Sequence, residues 1–334
     1  MQPANRMTVR TPPIIRAILP IAMAIGVWCA TLGADGAEAG ADEVWRSIFA
    51  RPAATPVDKL EFKRQALGAA LFADRRLSRD GDRSCATCHR PEHGFTDGLP
   101  KARGRDGTPL KRNTPHLFNL AVARSFYWDG REPTLEAQAR VPLYADNELG
   151  AVSTSLLPTL QSDADTQRRF ADAFPESGLT EAAIIAALAA YERSIVSPVT
   201  RFDDWIAGNA VALNDEERRG FRIFAGKGGC VSCHGGWRMT DDAFHDIGLK
   251  SDDPGRAAVA GGTPGIPAFK TPGLRQVAKT APYMHDGSLA TLDDVVAHYA
   301  GGLLERPSLA PNLVRDLDLD PSERAALVAF LKTL

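Results

Sequence analysis

Two pentapeptides carry the chemistry open to this chain: Cys85-Ala86-Thr87-Cys88-His89 and Cys230-Val231-Ser232-Cys233-His234. Each reads C-x-x-C-H. Two thiols at this spacing can add to the two vinyl groups of one porphyrin, and the histidine that follows is then held beneath the iron as its proximal ligand. The chain has five cysteines, so all but one of them lie in these motifs. A zinc site or a redox dithiol would use the thiols but leave the paired histidines without a role. The pattern therefore predicts two covalently bound haem c groups, with His89 and His234 in the fifth coordination positions. The occupant of each sixth position decides the task. A His or Met there makes an electron carrier, whereas an open position admits peroxide or oxygen. His93, His116, His245, His285 and His298, with Met239 and Met284, are available, and spacing alone does not choose among them.

A length of 334 residues suits two domains. With 44% hydrophobic and 24% charged residues the composition is that of a globular protein, and a net charge of −2 excludes a nucleic-acid-binding role driven by basic charge. Residues 1–39 read as an export signal. Arg6, Arg10 and Arg16 precede an apolar run from Ala17 to Ala34, and Ala37-Glu38-Ala39 fits a cleavage site. The fifth cysteine, Cys29, falls inside it. A retained membrane anchor is the competing reading, and membrane contact is expected only through this segment. Export and C-x-x-C-H haem attachment go together, so a periplasmic location is expected.

The elements that must position the motifs are helices. Asp58 to Phe72 has helical spacing and runs into the first motif. Asn214 with Glu217 forms a capping box for a helix that reaches the second motif through Gly226, Gly228 and Gly229. The repeated unit is thus a helix, a turn and a haem motif. Thr180 caps a helix to Val196 whose face is Ile184, Ile185, Leu188, Tyr191 and Ile195. Asp320-Pro321-Ser322-Glu323 opens a last helix. Segments 94–115, 142–154 and 248–273 read as long loops. The expectation is a mostly α fold of two class I cytochrome c-like haem domains with long loops and little β. Its divisions are a signal at 1–39, an N-terminal haem domain at 40–198 and a C-terminal haem domain at 199–334.

Beyond the motifs, Arg112-Asn113-Thr114-Pro115, Phe126-Tyr127-Trp128-Asp129-Gly130-Arg131, Thr271-Pro272-Gly273-Leu274-Arg275 and Ala281-Pro282-Tyr283-Met284-His285-Asp286-Gly287 follow in order. On these stretches the chain resembles the bacterial di-haem cytochrome c peroxidase superfamily, and within it the MauG branch. The resemblance implies that His89 serves the haem where peroxide reacts, and that Gln138 and Glu148 are the distal amide and carboxylate, with Pro142 over the same pocket. It places Trp128 between the haems as an electron relay. It implies a calcium ion held by Asn113 and by backbone carbonyls near Lys270 and Pro272. Ordinary peroxidases of this kind carry a removable distal His before the Arg-Asn segment. That position holds Arg105 here, and residues 94–115 contain no His after His93. For the second haem the resemblance implies Tyr299 opposite His234, with Met284, His285 and His298 as competitors.

The function implied is a periplasmic oxidoreductase that uses hydrogen peroxide to form a high-valent two-haem state and oxidises Trp or Tyr residues of a partner protein. Trp205 and Trp237 are candidate surface relays that no motif places. One alternative is a di-haem cytochrome c peroxidase drawing electrons from a small cytochrome or cupredoxin. The other is a di-haem electron carrier without enzyme activity.

Overall fold

The computed structural model describes residues 43–259 and 261–334, and the expected signal segment lies outside the described residues. Residues 46–334 group together as one unit. Among the described residues no helix is long and apolar enough to cross a membrane. The first half contains α1 (Lys59–Phe72), α2 (Cys85–Cys88), α3 (Leu135–Tyr144), α4 (Ser153–Gln161), α5 (Ala164–Ala173) and α6 (Glu181–Ser194). The second contains α7 (Arg201–Ile206), α8 (Asp215–Ala225), α9 (Leu292–Tyr299) and α10 (Pro321–Leu331). Two short antiparallel strands, β1 (Phe244–His245) and β2 (Phe269–Lys270), pair Phe244 with Lys270 and His245 with Phe269. The mostly helical class with little β is what the sequence pattern predicts.

Helix starts follow local chemistry. Asp58 accepts from the amides of Leu60 and Glu61 at the head of α1, and Thr180 caps α6. Reciprocal capping boxes open α8 at Asn214 and α10 at Asp320. Segment 142–154 departs from the loop expectation: α3 runs to Tyr144 and α4 begins at Ser153, so only its middle is loop. The prolines inside these helices, Pro142 and Pro158, read as breakers in a sequence but are carried within a helical turn here. Helix α5 was not part of the sequence reading.

Each haem motif is braced by a pair of crossing helices. In α1, a Cβ built on Gly68 would lie 1.9 Å from the Ala187 carbonyl oxygen of α6 and 2.8 Å from the Tyr191 Cβ. In α8, a Cβ on Gly220 would lie 1.9 Å from the Ala326 oxygen of α10 and 2.7 Å from the Phe330 Cβ. Only glycine lets the backbones approach so closely. Around the first crossing Leu67, Leu71, Phe72, Ile184 and Leu188 form the core. Around the second, Phe202, Trp205, Phe221 and Phe330 pack ring against ring. Trp205 is 4% exposed, so it belongs to this core and cannot serve as a surface relay. Trp237 is half-buried, with the Arg51 guanidinium over its ring.

A second repeat joins the halves. Residues 112–142 and 269–299 correspond at a constant spacing of 157 residues. Tyr127 and Met284 both have positive φ (68° and 73°), as do Asn119 and Gln276 (61° and 62°). Thr134 and Thr291 both cap helices, α3 and α9. The Asn113 amide donates to the His285 carbonyl at 2.8 Å, and the Lys270 amide donates to the Trp128 carbonyl at 2.7 Å. These are the same bond with the halves exchanged.

Alanine at position 68 should destabilise the protein by ~1–3 kcal/mol, as overpacking does, although alanine is the better helix former by about 1 kcal/mol in an open helix. Chemical denaturation of the haem-loaded Gly68→Ala protein checks the sign. A gain in stability would refute the close-crossing account.

Candidate functional site

Both C-x-x-C-H motifs line a single cavity of about 1120 Å³, above the ~300–1,000 Å³ usual for a one-ligand pocket. Cys85, Cys88, Cys230 and Cys233 are free thiols, half-buried in its wall. Burial pushes the Cys85 and Cys230 thiols up to about 12 and the Cys88 thiol up to about 11. The His89 Nδ1 bonds the Phe95 carbonyl at 2.9 Å, and the His234 Nδ1 bonds the Met239 carbonyl at 2.9 Å. Phe95 and Met239 both have positive φ, 63° and 56°, a conformation that non-glycine residues seldom adopt. Burial lowers the pKa of both rings, against those carbonyl bonds. Each imidazole is therefore neutral, with Nδ1 engaged and Nε2 left for a metal. Paired thiols beside a neutral, oriented histidine, twice over on one large cavity, fit two haem c groups.

Above the first motif, α3 brings Gln138 and Pro142 to one face, four residues apart. Pro142 has no N–H, so the Gln138 carbonyl loses its helical partner, and the Tyr127 hydroxyl donates to it at 3.3 Å. Glu148 lies in the same wall, half-buried. Burial raises its pKa, and Arg131 opposes the rise. The Arg131 guanidinium sits 3.4 Å over the Tyr127 ring. Burial and then Glu148 push the Tyr127 phenol up. The cluster can hold a proton and present hydrogen-bond donors over the first motif. The sequence by itself gives Tyr127 and Arg131 no role of their own; their place in the 126–131 stretch around Trp128 is the signal that could have found them.

Arg105 is outside the cavity wall. Its amide donates to Asn147 at 2.9 Å, its Nε to the Asp146 carbonyl at 3.0 Å, and its guanidinium pairs with Asp80 at 2.5 Å. The side chain at the position expected for a distal ligand thus fastens its loop to the segment leading into Glu148.

Trp128 lines the same cavity, and its indole Nε1–H donates to the Asn113 carbonyl at 2.9 Å. Asn113 is buried; its Nδ2 donates to the carbonyls of Leu99 (2.9 Å) and Pro282 (3.3 Å), leaving Oδ1 without a hydrogen bond among the described residues. Lys270 directs its ammonium to the Ser125 carbonyl at 2.7 Å, and burial lowers that ammonium to about 8. Pro272 lines the cavity, and its carbonyl lies beside the His234 ring.

At the second motif, Tyr299 ends α9 in the wall that holds Cys230, Cys233 and His234. Burial pushes its phenol up. Its hydroxyl has no hydrogen bond among the described residues. Met284 shares the wall, whereas His93 and His298 do not. His116 uses both ring nitrogens, toward Gly273 and Phe118. His285 bonds Ser251 at 3.0 Å and stacks on Phe269 with ring centres 3.6 Å apart. His245 engages the Asp241 carboxylate through its Nε2 at 2.8 Å. Tyr299 and Met284 are the donors this geometry leaves free.

Residues 63–211 match the family model described as di-haem cytochrome c peroxidase, and residues 217–334 match that described as cytochrome c. A methylamine utilization protein MauG from Methylorubrum extorquens is 41% identical, with 96% of each chain covered. Another from Methylophilus methylotrophus is 38% identical, over 86% of this chain and 88% of that one. Among solved structures, a MauG-like protein associated with microbial copper homeostasis superposes with a TM-score of 0.75 at 33% identity, covering 85% of this chain and 92% of that one.

Proposed function

The chain belongs to the di-haem cytochrome c peroxidase family, and from that premise we propose that it is a periplasmic enzyme of the MauG type. It acts on peroxide through two haem c groups, as the family does. The finer reading is that the oxidising equivalents are withdrawn from Trp or Tyr side chains of a partner protein. The observation that carries it is a mismatch at one position of two matched helices: α3 offers Pro142 where α9 offers Tyr299. A proline ring cannot ligate iron, so Pro142 would leave the haem held by His89 without a second protein ligand. A phenol can, so Tyr299 would supply one to the haem held by His234. Residues 40–198 and 199–334 are the corresponding haem domains.

When bound, the haem irons supply the redox chemistry of peroxide reduction. The chain's own part is to place the substrate and move its proton. Glu148 takes a proton from the near oxygen of peroxide and returns it to the far one, as O–O cleavage requires. The Gln138 amide and Tyr127 orient the peroxide beside it. Trp128 relays electrons between the two sites, its indole fixed by Asn113. Asn113 Oδ1, with the carbonyls of Lys270 and Pro272, offers the all-oxygen set that suits calcium.

The resting ferric protein should show one high-spin and one low-spin haem by EPR, and peroxide should change both spectra with no reductant present. Reaction only after one haem has been reduced would make the protein an ordinary peroxidase. Because Arg131 holds the Glu148 pKa down, Arg131→Ala should raise it further. The rate of peroxide reaction then gains its base form at a higher pH than in the parent, and stopped-flow pH profiles read the displacement. Metal analysis after gel filtration should find one calcium per chain, lost together with the Trp128 environment on chelation. A calcium-free protein with unaltered tryptophan fluorescence would remove that ion from the reading.

A further inference from the structure

Glu192 stands apart from every role given above. It lies near the end of α6, 6% exposed, in the wall of the haem cavity, and its Oε2 has no hydrogen-bond partner. It is the leading charge acting on the Cys85 sulfur, the first attachment point of the first haem. The matched helix of the second half has no such group. Ala187 and Ala326 receive the two close-approach glycines, and Tyr191 and Phe330 follow at the same interval, so Glu192 corresponds to Leu331. Leu331 also lines the cavity and is equally buried. A carboxyl therefore lines the cavity in the half of the first motif where a hydrocarbon lines it in the half of the second.

We propose that Glu192 is a redox-linked proton site of the first haem alone, releasing its proton when that haem is oxidised and regaining it on reduction. The inference rests on the two-haem assignment and not on the MauG-type reading. An unsolvated carboxylate in the wall of this cavity would favour the more positive ferric state of a haem bound there, and the ferric charge would favour the carboxylate in turn. On reduction the electron goes from the protein donor to the iron, a proton goes from solvent to the carboxylate, and no other bond changes. The groups acting on Glu192 are Arg193, which favours the carboxylate and is itself paired with Glu136 of α3 at 2.6 Å, and Glu136, which disfavours it. Tyr191 precedes it, its own phenol raised by burial and by Glu192, and Cys85 no longer titrates once it is a thioether. Burial, with Glu136 adding to it and Arg193 opposing it, raises the carboxyl to about 8, within reach of the periplasmic pH range.

Spectroelectrochemical titration of the haem-loaded protein on either side of pH 8 tests this. The potential of the first haem should fall as pH rises, and that of the second should not. Glu192→Gln should abolish the dependence, while Glu148→Gln should keep it. Persistence of the slope in Glu192→Gln, or its loss in Glu148→Gln alone, would overturn the proposal. Redox-triggered infrared difference spectra of Glu148→Gln protein give an independent reading. A protonated-carboxyl signal should appear on reduction of the first haem, and its absence would equally sink the idea. None of these readouts involves peroxide, so a failure here leaves the proposed function untouched.

Discussion

Two hydrogen bonds fix what this cavity can hold: His89 to the Phe95 carbonyl and His234 to the Met239 carbonyl. A buried imidazole could rotate, protonate or bond either nitrogen to the backbone. Committing Nδ1 to a carbonyl settles the tautomer, the ring plane and the basicity of Nε2 in one step. Each carbonyl comes from a residue in the left-handed region, which turns the backbone toward the ring. That conformation is costly for Phe and Met and persists only because the surrounding structure enforces it. The helix crossings at Gly68 and Gly220 supply the rigidity, since they hold the helices that lead to each motif against the last helix of the same half.

The halves are joined as firmly as they are built. Arg112 forms a clasp, reaching Asp129 at 2.6 Å and gripping both oxygens of Asp253 at 2.7 and 2.9 Å. Asp253 is held down to about 2 by this pairing. Charge-assisted bidentate contacts of this kind are among the stronger polar interactions. The clasp anchors the turn beside Trp128 to the long loop of the second half. With the exchanged bonds of Asn113 and Lys270, the indole rests on structure drawn from both sides. The proposed relay through Trp128 requires that fixity of position.

Much of this was legible because it is local. C-x-x-C-H is a chemical sentence in five residues, and capping boxes at Asn214 and Asp320 are read from side chains three apart. The absence of a distal histidine was also visible, but not the direction Arg105 takes, because its partners Asp80 and Asp146 come from separate segments. Tyr127 and Arg131 gain their meaning only when α3 folds over them. Glu192 was the hardest to see. Between Tyr191 and Arg193 at a helix end it reads as a solvated charge, and only the packing around α6 buries it. The loop expected over 142–154 was too long for the opposite reason: Pro142 carries a local breaking signal, yet α3 continues through it to Tyr144.

The constant spacing between residues 112–142 and 269–299 has a consequence for how such a protein diversifies. The two centres share a scaffold down to individual backbone bonds, so their division of labour does not need two architectures. As proposed above, it rests on single side chains at matched positions: Pro142 against Tyr299 and Trp128 against His285 in this repeat, and Glu192 against Leu331 in the helix crossings. Exchanging residues between such positions would move a property from one centre to the other without rebuilding either. The chain carries its own set of compatible parts, and each half is a template for re-engineering its twin.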